Sequence, residues 1–89
     1  MAKAEIGWKR RTPEGERVEV YVHHIGKTWK FFVRERRFED WQPLPEPPLE
    51  DWLALLDSVN RLVARHRMKP ADADRVRTEI RERFPDATI

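Results

Sequence analysis

Hydrophobic and polar residues alternate with period two through Val18-Glu19-Val20-Tyr21-Val22-His23, a run rich in β-branched and aromatic residues. Successive side chains of a strand point to opposite faces, so this pattern predicts a half-buried strand at the centre of a sheet. Upstream, Thr12-Pro13-Glu14-Gly15 suits a type I turn closed by Gly15 in the left-handed conformation, since proline presets φ and glycine tolerates positive φ. A hairpin on that turn pairs Arg10 with Val18, Trp8 with Val20 and Ile6 with Val22. Downstream, an even-length loop around Ile25-Gly26 pairs Val22 with Trp29, Val20 with Phe31 and Val18 with Val33. The two registers come from different turns, yet both put Trp8, Val18, Val20, Val22, Trp29, Phe31 and Val33 on one face. A slip of one residue in either hairpin would turn Trp8, or Trp29 and Phe31, to the opposite side.

The three strands are expected within residues 5–36, the third running from Trp29 to Arg36. Phe38 and Trp41 bring apolar groups back before Pro43-Leu44-Pro45-Glu46-Pro47-Pro48, and residues 37–48 read as a stiff, extended crossover. The Pro45-x-x-Pro48 spacing has no flanking base at a helpful position, so it is read as a linker and not as a ligand for a proline-binding domain. Beyond it, Leu49, Trp52, Leu53, Leu56, Val59 and Val63 recur at helical spacing, widened by Leu55 and Leu62. That stripe predicts a helix over 49–68, begun by Pro48, Glu50 and Asp51. A second helix is expected over 70–84, with Ala73, Val76, Ile80 and Phe84 on its narrow apolar stripe, and 85–89 form a tail. The short connection at Lys69-Pro70-Ala71 makes the two helices antiparallel neighbours. The expected fold is therefore one α+β domain over residues 1–89. It is a three-stranded antiparallel meander followed by a two-helix hairpin packed on one face of the sheet, with Trp52, Leu56, Val59 and Val63 as its cover.

Composition sharpens this outline. Only 39% of residues are hydrophobic, but four Trp and four Phe are among them, so a few large rings must supply the core. With no cysteine and no apolar run long enough for a signal peptide or a membrane span, the sequence reads as a cytoplasmic protein without disulfides or a membrane partner. The net charge of +2 is unevenly placed. Residues 1–38 hold ten Lys and Arg against five Glu, residues 39–57 hold six acids and no base, and residues 58–89 hold eight bases against five acids. The largest basic excess thus falls on the expected sheet.

Catalytic chemistry finds little support. His23 and His24 are adjacent on a strand and point to opposite faces, and His66 has no acid or cysteine at ligand spacing, so no metal site is expected. Gly7, Gly15 and Gly26 are isolated and build no phosphate-cradling loop. Ser58 has no histidine at helical spacing to activate it. Glu50, Asp51 and Asp57 read as solvated charge along a helix, and Glu39, Asp40 and Glu46 as loop acids. The expectation is a non-enzymatic chain with no catalytic residue, no metal and no small-molecule cofactor.

The outer face of the sheet carries the candidate site. Reading across the expected strands places Arg11, Arg17 and Arg34 in one row, Lys9, Glu19 and Phe32 in the next, and Gly7, Tyr21 and Lys30 in the third. Like charges directly opposite one another disfavour a sheet unless something compensates them. Lys9, Arg11, Arg17, Tyr21, Lys30, Phe32 and Arg34 are therefore candidate binding residues. Nine aromatics in 89 residues point toward a protein partner or a homo-oligomer. Bases interleaved with rings make nucleic acid the alternative partner, phosphates meeting the cations and bases the rings.

Overall fold

The structure, a computed structural model, describes residues 6–35 and 39–89. The alternating runs form β1 (Ile6–Arg11), β2 (Arg17–Ile25) and β3 (Thr28–Arg34), and the two helical stripes form α1 (Leu49–Ala64) and α2 (Pro70–Arg83). The expected strand start at residue 5, the strand end at Arg36, and Phe38 lie outside the described residues. A further strand, β4 (Gln42–Pro43), joins β3 inside the stretch expected to be a plain crossover, completing an antiparallel sheet of order β1-β2-β3-β4. The class is α+β. The chain divides between Pro47 and Pro48 into two compact units, one holding the sheet and the other the helices.

The first hairpin follows the expected register: Ile6 faces Val22, Trp8 faces Val20 and Arg10 faces Val18. Its turn closes as anticipated, with Gly15 at φ +88° donating to the Thr12 carbonyl at 2.8 Å. The second hairpin keeps the expected faces but shifts along the strand. Val22 pairs with Phe31 and Val20 with Val33, where Trp29 and Phe31 were expected. The loop is Gly26-Lys27, and Gly26 alone takes a positive φ, +59°. A loop at Ile25-Gly26 would have put a β-branched residue in the turn, whereas glycine in the first central position suits a type II′ hairpin. Because the shift is an even number of residues, the shared face survives.

On that face Ile6, Val18, Val20, Val22, Trp29 and Phe31 are buried and Trp8 and Val33 are half-buried. Trp8 meets Phe31 edge-on at 6.4 Å, and His24 stacks flat on Trp29 at 3.9 Å. His23 lies on the other face, 6.3 Å from Tyr21, so the two histidines diverge as adjacent strand residues must.

In the helical unit, the core stripe is Trp52, Leu55 and Val59 on α1 with Ala73, Val76 and Ile80 on α2. Leu56 and Val63, expected at its centre, are half-buried, and Leu53 is exposed. Asp51 departs most from expectation: read as solvated charge in the first turn, it is fully buried. The helices form an antiparallel hairpin, since Arg77 in mid-α2 reaches Asn60 and Arg83 at its end lies over the Trp52 ring near the start of α1. The first helix stops at Ala64, four residues before the expected end. There His66 adopts φ +59°, and its amide and that of Arg67 bond back to the Val63 and Leu62 carbonyls. This is a Schellman termination with histidine in the place glycine usually takes.

Candidate functional site

The corrected β2–β3 register rebuilds the outer face. Its rows are now Lys9-Glu19-Arg34 and Gly7-Tyr21-Phe32, with Arg11 facing Arg17 and His23 facing Lys30. The expected row of three arginines does not form. Arg34 instead lies opposite Glu19, binds its carboxylate at 3.2 Å and sets its guanidinium 4.2 Å over the Trp41 ring. Stacked, paired and only 21% exposed, Arg34 is committed to the sheet.

The rings are likewise less open than the sequence implies. Tyr21 and Phe32 are half-buried neighbours with centroids 6.4 Å apart, and Trp41 closes on Tyr21 at 5.7 Å. Trp41 was read only as an apolar return in the crossover. Its spacing of two from Pro43, which pairs with Phe32, places both on the outer side of the short β4 extension. That period-two relation was the available signal, hidden because no strand was expected there.

Lys9, Arg11, Arg17 and Lys30 remain exposed, and none has an ion-pair partner among the described residues. Arg11 spends one guanidinium nitrogen on the Gly15 carbonyl at 3.2 Å. Lys9, Arg11 and Arg17 surround an open depression of about 400 Å³, which Glu19 and Glu35 also line. Beside it a second depression of about 360 Å³ lies over Gly7, bounded by Lys9, Glu19, Tyr21 and Trp41. Three of the cations and both depressions therefore gather along β1.

The backbone phase of β1 follows from its turn. Thr12 N–H donates to the Glu16 carbonyl at 2.8 Å. In an antiparallel pair, residues alternate between exchanging both backbone bonds with the partner and directing them away. Counting back from Thr12, Arg10, Trp8 and Ile6 bond to β2, while Arg11, Lys9 and Gly7 turn their N–H and C=O groups outward. The other side of the sheet has the matching phase: the Phe31 carbonyl accepts from Leu44 N–H at 2.9 Å, on the side away from β2. So β1 presents three outward donor-acceptor pairs, and the side chains at those positions are Gly7, Lys9 and Arg11.

No group of three metal-ligating side chains occurs among the described residues, and none of their helices is long and apolar enough to cross a membrane. Comparison with protein families, curated proteins and solved structures finds no match to this chain.

Proposed function

We propose that the protein is a non-enzymatic binding module that recruits an extended, acidic segment of another protein by adding it as a strand to β1. The observation that carries this reading is the coincidence on one edge strand of outward backbone groups and cations without an ion-pair partner among the described residues, at Lys9 and Arg11, with Arg17 beside them. Strand addition supplies affinity through main-chain bonds and specificity through alternate side chains. Acidic residues at every second position would meet Lys9 and Arg11 on the outer face and relieve the repulsion between Arg11 and Arg17. Self-addition of β1 is disfavoured by the same charges. The described aromatics are all buried or half-buried, and among the described residues of the sheet unit Ile25 is the one large apolar side chain that stands exposed, which gives little area for a homo-oligomer.

The test is an NMR titration of the whole chain with a seven-residue Thr/Glu alternating peptide, its Thr/Lys counterpart and a short single-stranded oligonucleotide. Amide shifts concentrated at Gly7, Lys9 and Arg11, for the acidic peptide alone, are the expected result. Lys9→Pro should abolish this binding while the fold persists, because the missing N–H is one that faces outward. Lys9→Gln should only weaken it. Equal loss in the two variants would reduce the interaction to charge attraction. Tighter binding of the oligonucleotide would transfer the site to nucleic acid, for which the four exposed cations supply the phosphate contacts.

A further inference from the structure

The outer-face neighbours of an added strand differ from one end of β1 to the other, and that difference carries a sequence preference. We infer that β1 selects a segment of pattern acid-x-acid-x-aromatic, aligned antiparallel, with the aromatic side chain seated over Gly7 against Tyr21 and Trp41. This rests on strand addition to β1 and specifies what is added. A strand aligned antiparallel passes Arg11 first, then Lys9, then Gly7. Its residues opposite those three exchange backbone bonds with them and project their side chains to the outer face.

Gly7 is a notch in that face. It lies opposite Tyr21, and a Cβ placed on it would come 3.0 Å from the Val20 carbonyl oxygen, so the backbone is too close there for any larger residue without adjustment. The space it leaves opens into the depression of about 360 Å³, whose side walls are the half-buried Tyr21 and Trp41 rings, tilted 40° to each other. A flat ring from the added strand would complete this cluster by edge-on or offset contact, as aromatic side chains do across from a strand glycine. Trp41 is held by Arg34, which Glu19 holds in turn, so this wall is in place before a ligand arrives. The notch is walled by rings, whereas two residues away Lys9 has no ion-pair partner among the described residues, and Glu19, its cross-strand neighbour, is bound to Arg34. Arg11 and Arg17 continue the basic run.

The experiment measures affinities of the whole chain for three capped peptides, Thr-Glu-Thr-Glu-Thr-Trp-Thr, its alanine analogue Thr-Glu-Thr-Glu-Thr-Ala-Thr, and the reversed sequence Thr-Trp-Thr-Glu-Thr-Glu-Thr. The first should bind about tenfold tighter than the alanine analogue, the ratio expected when a ring is buried against two others. It should also bind tighter than the reversed peptide. Ring-current shifts should appear at the Gly7 amide and at the Tyr21 and Trp41 side chains. The Trp41→Ala protein should bind the tryptophan and alanine peptides alike while keeping its affinity for the latter. Equal affinity of the tryptophan and alanine peptides for the unaltered protein would overturn the aromatic preference and leave strand addition standing. Preference for the reversed peptide would overturn the antiparallel order. Binding of none of the three would overturn strand addition itself.

Discussion

The two margins of the sheet are built to opposite ends. At one, β4 offers two residues, and Pro43, paired with Phe32, has no amide hydrogen on the side that faces away from β3. At the other, β1 runs six residues without proline and directs the backbone groups of Gly7, Lys9 and Arg11 outward. Brevity and proline close an edge to every strand, whereas charge closes it only to strands of like sign. The difference teaches that one edge is closed by its backbone and the other guarded only by its charge, which on the proposed reading resists a second copy of β1 and admits acidic sequence.

The largest expected effect removes what the two margins share. Phe31 touches Trp8 of β1 with its ring and takes the Leu44 amide beyond β4 with its carbonyl, and it is buried. Phe31→Ala should cost about 3–5 kcal/mol in urea unfolding and loosen both edges together. A loss under about 1 kcal/mol would remove this ring from the sheet core. Gly15→Ala strains the left-handed residue of the β1–β2 turn and should cost about 1–2 kcal/mol. Hydrogen exchange should then rise in β1 more than in β3, and uniform loosening would contradict the independence of the margins.

Smaller changes address the edges singly. Pro43→Val restores an outward amide at the closed margin and should move stability by no more than about 0.5 kcal/mol in either direction, since no bond within the sheet is gained. A thermal shift of many degrees would place that nitrogen inside the ladder. Smallest in stability is Lys9→Gln, which should leave the unfolding midpoint unchanged but weaken the acidic peptide and flatten its salt dependence. Unchanged salt dependence would take Lys9 out of the interface.

How much of this the sequence carries differs from residue to residue. Trp8, Val20 and Phe31 were assigned to the right face because alternation and two glycine-containing turns agreed. The candidate cations Lys9, Arg11, Arg17 and Lys30 were placed on the outer face for the same reason, and they are exposed there. The cluster itself differs from the expected row of three arginines. Moving Phe31 from Val20 to Val22 brought Arg34 beside Glu19 and out of the arginine row. Trp41 is legible as an apolar return but not as a wall of the outer face, because that place depends on a two-residue strand that no propensity announces. Asp51 carried every sign of a solvated first-turn acid, and its burial reflects surroundings that helix periodicity does not encode.

Sequence alone determined which side chains share a face, where the first hairpin turns, and that two amphipathic helices follow. These properties depend on neighbours two to four positions apart and on the φ that Gly15 can adopt. Tertiary structure decided which residues stand side by side across the sheet, that β4 seals one margin, and that Tyr21 and Trp41 wall the notch over Gly7. The physical reason is the period of the strand. A shift of two residues leaves every side chain on its own face, so the hydrophobic pattern is blind to it, and only the turn geometry and the packing of distant side chains select the lateral neighbour.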